Sequence, residues 1–165
     1  MMTIMLRKIV GCAILILAQV LVLNQIDLFG YATPYLYIYI ILKMRIDVPR
    51  YVLLLVGFLL GLMIDLFLYT PGVHASATVL LAMCQPFFLR AFASRDDEEQ
   101  IVPVGRKMGT LAFMEYMAVC VLMHHTALLM VEYFTFAGIW QTLLRILCSS
   151  LLTFSLIMAV DKMTD

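Results

Sequence analysis

Charge is scarce in this sequence. Only 13% of its 165 residues are Asp, Glu, Lys or Arg, whereas 64% are hydrophobic. A soluble domain is about one quarter charged and about half apolar, so a water-facing globular surface is excluded and mean hydropathy reaches +1.02. Cysteine is sparse too: Cys12, Cys84, Cys120 and Cys148 stand singly inside apolar runs. No CxxC or Cys/His cluster occurs, which leaves a disulfide framework and a zinc site unsupported and small packing residues as the better account. There is no strand-period pattern, no glycine-rich phosphate loop and no internal repeat, and nothing points to a nucleic-acid partner. The formal net charge is zero. In so apolar a chain the placement of charge carries more information than its sum.

What is present is a series of long apolar runs, of the kind that lipid accepts at roughly 20 residues per span. They predict an all-α integral membrane protein, a compact bundle of about six transmembrane helices in a single domain covering 1–165. The expected spans are about 9–26, 28–44, 51–69, 73–92, 109–134 and 140–160, with a polar cytoplasmic loop at 93–108 that contains SRDDEEQ. The first run follows Arg7 and Lys8 without a small-residue cleavage site, so it reads as an uncleaved span. The second is short and tyrosine-rich, with Pro34 near its start; a re-entrant or interfacial segment is the alternative there. Basic residues set the orientation. Arg7, Lys8, Lys43, Arg45, Arg50, Arg90, Arg95, Arg106, Lys107 and Lys162 all fall on one side if the amino terminus is cytoplasmic. That asymmetry requires an even number of spans and both termini inside.

The remaining basic residue, Arg145, lies within the sixth span, and Asp65 lies within the third. Each sits about five residues outward of its span's midpoint, roughly 7 Å from the membrane centre. An isolated charge there costs on the order of 3 kcal/mol or more. The matched depth therefore makes Asp65 and Arg145 a candidate intramembrane ion pair. The alternative is that Asp65 caps a neighbouring helix end while Arg145 snorkels to the outer interface. Gly57 and Gly61 precede Asp65 on the same helix face, a GxxxG stripe that admits a second helix at close range. Gly57, Gly61 and Asp65 are accordingly the candidate helix-packing or partner-binding residues. Glu115, in the inner part of the fifth span, either lines a polar cavity or reaches Arg106, Lys107 or cytoplasmic water, and Glu132, near the outer end, reads as interfacial. His124 and His125 are adjacent, so they point about 100° apart and do not chelate one metal together. No catalytic residue, cofactor site or metal site is assigned.

Over GFLLGLMIDLFLYTPGVHASA, Gly57 to Ala77, the sequence resembles the MreD family of rod-shape-determining membrane proteins. That family shows a G-x-x-x-G-L-x-x-D pattern, met here by Gly57, Gly61, Leu62 and Asp65, followed by a turn at Gly72 and a small-residue stretch from Ala75. Pro34 and Pro49 also suit it. The resemblance implies a non-enzymatic scaffold or adaptor of the bacterial cell-elongation complex, in the cytoplasmic membrane. The implied partners are an MreC-like protein and, through it, an MreB-like filament, a RodA-like transglycosylase and a penicillin-binding transpeptidase. Membrane lipid is a further expected neighbour, and homo-oligomers are compatible with it. It also implies a fold similar to the substrate-binding components of energy-coupling-factor vitamin transporters.

Two functional classes follow. The first is the adaptor, which binds single-span partners through lateral helix faces that include the Gly57–Gly61 stripe. The second is a small-molecule-binding subunit of an energy-coupling-factor-type transporter, which requires polar groups converging from several spans. Asp65, Arg145, Tyr35, Tyr37 and Tyr39 are its candidates. An enzyme with an intramembrane acid fares worst, because no second catalytic group lies at matching depth. The topology has a direct test: reporter fusions at the two termini both read as cytoplasmic, and opposite readings would overturn the even span count.

Overall fold

A computed structural model describes residues 2–26, 32–93, 103, 105–132 and 138–164, with side chains from Val10 onward except at 106, 107 and 164. Most of the expected polar loop, residues 94–102 and 104, lies outside the described residues. Every regular element that is described is helical. The order is α1 (Met2–Leu21), α2 (Tyr39–Leu42), α3 (Arg50–Leu68), α4 (Val73–Phe92), α5 (Gly105–Met108), α6 (Thr110–Glu132) and α7 (Ile139–Thr164), with single 3-10 turns at Leu23–Gln25 and Leu36–Ile38.

Four of these helices, α3, α4, α6 and α7, are long and apolar enough to cross a membrane, the make-up of a multi-pass membrane protein. They pack in sequence, α3 on α4, α4 on α6 and α6 on α7, while α1 touches α3 and the 3-10 turn at Leu36–Ile38. The solvent logic is inverted relative to a soluble bundle. Leu66, Phe87, Leu111 and Leu151 are exposed, whereas Gln19, Thr78, Gln85, His124, His125 and Thr153 are fully buried. Polar side chains turned inward and leucines turned outward are stable only where hydrocarbon surrounds the bundle.

The expected second span, 28–44, is not a continuous helix. From Ala32 to Tyr35 the chain is irregular, then it makes the 3-10 turn and the four-residue α2. This strap is the centre of the molecule, since Tyr37, Ile38, Ile41 and Leu42 are completely buried. The tyrosines that read as interfacial anchors are instead core residues. The strap runs beside the second half of α7: the Thr33 N–H donates to Ser149 Oγ (3.1 Å), the Tyr35 N–H to Thr153 Oγ1 (3.0 Å), and the Tyr39 hydroxyl to Asp161 Oδ1 (2.8 Å). The first two contacts have a geometric reason. Two residues of extended chain rise about 6.6 Å and four residues of helix about 6 Å, so alternate strap amides meet hydroxyls one helical turn apart.

The glycine stripe is spent inside the chain. A methyl group on Gly57 would sit 3.0 Å from Ala82 Cβ and 3.0 Å from the Thr78 carbonyl oxygen. One on Gly61 would run into the Thr78 hydroxyl and the Ala75 backbone, 2.6 Å from the Ala75 nitrogen. The facing residues of α4, Ala75, Thr78 and Ala82, are small and follow helical spacing, so the two helices close backbone to backbone. The expectation that this stripe presents a lateral face to a partner is therefore corrected: α4 already occupies it. Because Ala75 backbone cannot rotate away as a side chain can, Gly61→Ala is expected to destabilise the protein by about 1–3 kcal/mol and Gly57→Ala by less. Unfolding of the detergent-solubilised protein in graded dodecyl sulfate measures both, and an inverted ranking would contradict the close α3–α4 approach.

Candidate functional site: a polar clasp and a buried histidine cluster

Asp65 sits in the last turn of α3, 2% exposed. Its main-chain carbonyl accepts the N–H groups of Tyr69 and Thr70, which closes α3 with Tyr69 in the left-handed conformation (φ 56°). Gly72, also left-handed at φ 88°, then reverses the chain into α4. Gly72 has no side chain to cap that helix, and the Asp65 carboxylate does so from the preceding one. Oδ1 accepts from the His74 N–H (2.9 Å) and the Thr70 hydroxyl (3.0 Å), and Oδ2 accepts from the N–H groups of Gly72 (3.1 Å) and Ala75 (3.0 Å). The Val73 N–H goes to the Thr70 carbonyl. The amides that a helix start leaves open are thus met, and the carboxylate sits against the positive end of the α4 dipole.

The structure does not bring Asp65 and Arg145 together as an ion pair. The cost of burying the acid is met by four hydrogen bonds over ten residues of chain rather than by a distant guanidinium. Arg145 lies where its charge acts on Glu132, at the end of α6. Matched depth along two helices was the signal for a pair, but depth carries no information on which helices are neighbours.

His74 joins this clasp to the strap. Its main-chain N–H belongs to Asp65, while its ring Nδ1 lies 3.0 Å from the Tyr37 hydroxyl. The same hydroxyl lies 3.1 Å from His124 Nε2 on α6. A phenol has a single hydrogen, so one imidazole accepts from Tyr37 and the other donates to it. His124 Nδ1 is buried and has no hydrogen-bond partner among the described residues. His125, next in the chain, faces another neighbour. Its Nδ1 lies 2.8 Å from the Val121 carbonyl, which only accepts, so that nitrogen carries the hydrogen. Nε2 is then the acceptor, and the Thr153 hydroxyl donates to it at 3.1 Å while accepting the Tyr35 amide. Tyr35 packs edge-on against His74 and tilted over His125, with ring centroids 5.4 Å away in both cases.

Gln19 of α1 completes the fixation of the strap. Its Nε2 donates to the Pro34 carbonyl (2.8 Å) and to Asn24 Oδ1 (2.7 Å), and its Oε1 accepts the Leu36 N–H (2.7 Å). At the other end of the strap, Gln85 Nε2 donates to the Met44 carbonyl and Tyr116 donates to that of Leu42. Lys43 Nζ pairs with Asp161 Oδ1 at 2.6 Å, and Asp161 is nearly buried. Helices α1, α4, α6 and α7 thus all place polar side chains on one irregular segment.

Of the residues singled out from sequence, Gly57, Gly61 and Asp65 share the α3–α4 hairpin, Tyr35 and Tyr37 enter the histidine cluster, and Glu115 and Glu132 lie on the exposed side of α6. Gln19, Thr153 and Asp161 were missed as strap partners. The available signal for Gln19 and Thr153 was their position as polar residues in apolar runs, which marks burial against protein without naming the partner; Asp161, at the start of the polar DKMTD end, carried no such signal. No family model, curated protein or solved structure matches the chain, so the functional reading rests on the motif and on this geometry.

Two substitutions probe the arrangement. Asp65→Asn replaces a carboxylate oxygen by a donor facing N–H groups, with an expected loss of about 1.5–3 kcal/mol. Thr153→Val strands the Tyr35 amide and His125 Nε2 and is expected to cost about 1–3 kcal/mol. Thr126→Val, which removes only a bond to the Leu122 carbonyl of its own helix, is the control, expected within about 0.5 kcal/mol of wild type. A Thr153→Val protein as stable as the control would remove the strap contacts from the account.

Proposed function

We propose that this chain is a non-catalytic scaffold of the MreD kind in the bacterial cytoplasmic membrane, where it joins an MreC-like partner to the cell-elongation machinery. The observation that carries the reading is that the glycines, the acid and the small residue of the motif each have one task in one hairpin. Gly57 and Gly61 let the helices close, Asp65 caps α4, Gly72 makes the reversal, and Ala75 receives Gly61. A motif of this type builds a rigid frame and places no reactive group. The adaptor then works through its outer helix faces, since the glycine stripe is taken up by α4. The direction of the strap supports the even span count of this reading: it runs alongside α7 in the same sense, as the second and sixth of six passes must.

A specific observation keeps the transporter-subunit alternative in play. Polar groups from several helices converge on Tyr37, and His124 Nδ1 is left without a partner among the described residues. The hydrogen bonds that already engage Tyr37, His74 and His125 within the chain favour the scaffold. The deciding experiment extracts the affinity-tagged full chain from its native membranes in mild detergent. Co-purification of MreC-like and RodA-like proteins is the expected result. Recovery without them, but with a bound vitamin-sized molecule identified by mass spectrometry, would replace this reading by the alternative.

A further inference from the structure

Helix α6 packs against α4, α7 and, at its start, α5, and its remaining face shows Leu111, Met114, Glu115, Ala118 and Leu122 to the outside. Positions 111, 115, 118 and 122 are spaced four, three and four apart, the repeat along which two helices wind around each other with left-handed crossing. Glu115 stands in that seam. It lies five residues past Thr110, about 7.5 Å along a helix roughly 34 Å long, against a hydrocarbon layer of about 30 Å. Its short side chain therefore leaves the carboxylate at or within the apolar boundary. Among the described residues it makes no hydrogen bond and no ion pair. The outer face of α3 (Leu55, Phe58, Leu59, Met63, Leu66) and the middle of α7 (Leu144, Leu147, Leu151) present apolar side chains and no charge, and lipid covers these without loss. Hydrocarbon does not suit a carboxylate in the same way. Ala118, one turn on from Glu115, leaves room beside the acid for a second backbone.

We infer that the Leu111–Leu122 face of α6 seats a single transmembrane helix that carries a lysine or arginine at the depth of Glu115. The ammonium or guanidinium supplies the charge that the seam lacks, and the apolar positions on either side supply the packing. The inference rests on the adaptor reading for the kind of partner and names the face that reading leaves open. It differs from the glycine stripe in one decisive respect: nothing in the chain's own described structure covers it.

The test uses full-length protein in phosphatidylcholine vesicles with synthetic single-span leucine–alanine helices that bear one lysine, or a leucine in its place, at the inner-leaflet depth. Association is followed by energy transfer between labels. The lysine helix is expected to bind about tenfold more tightly than the leucine helix, Glu115→Gln to abolish that difference, and Glu115→Lys to shift the preference to a glutamate-bearing helix. Glu115 is exposed and makes no hydrogen bond or ion pair among the described residues, so these variants are expected to fold. Equal binding of the two helices to wild type would overturn the inference. So would loss of the lysine preference when phosphatidylethanolamine is added, which assigns the carboxylate to a lipid amine. Glu115-dependent self-association without any peptide would assign the face to a second copy and overturn it as well. Selective peptide binding alongside a failed co-purification would leave the face intact and correct only the identity of the machinery.

Discussion

A backbone amide in hydrocarbon must find an acceptor, and most of this structure follows from how the strap finds its own. Helices satisfy their main chains internally, but residues 32–38 do not form one. An irregular segment is tolerated at membrane depth only when protein encloses it. Here the enclosure is specific: Ser149 and Thr153 from α7, Gln19 from α1 and, through Tyr37, His74 and His124 from α4 and α6. The polar residues that look misplaced in apolar helices are the acceptors and donors this segment needs. Their burial beside exposed leucines is one requirement seen from two sides.

The Asp65 clasp is the second instance of the same constraint. A helix start presents open N–H groups, and a chain that reverses inside or near lipid has little water to offer them. The carboxylate that closes α3 also opens α4, so the hairpin angle and the glycine contact are set together. His74 extends this into the bundle, because its amide belongs to the clasp and its ring to Tyr37. Displacing α4 along α3 would disturb the strap. A frame coupled in this way suits the scaffold proposed above, and it leaves the outward faces, α6 above all, as the surface proposed for partners.

How far the sequence reached depends on the range of the interaction in question. The hairpin was legible because its determinants are local: Gly57, Gly61, Asp65 and Gly72 fall within sixteen residues, and capping by Asp65 stood among the alternatives. The Asp65–Arg145 pair rested on depth alone, and helix order around the bundle sends the two residues to different neighbours. The second segment read as a span, its shortness and Pro34 leaving a re-entrant or interfacial segment as the alternative, and its tyrosines read as interfacial. Aromatic side chains suit both a membrane boundary and a crowded core, and only the surrounding helices decide between them.

Composition alone therefore determined the solvent, the all-helical class and the approximate limits of four membrane-length helices, because the transfer of side chains and backbone into hydrocarbon is additive along the chain. The pairing of Tyr37 with His74 and His124, the seat of the strap against α7, and the use of the glycine stripe within the chain were decided by tertiary structure. Each requires residues from separate helices to meet at one point. Such meetings depend on packing order and rotation about the helix axes, which no local pattern encodes.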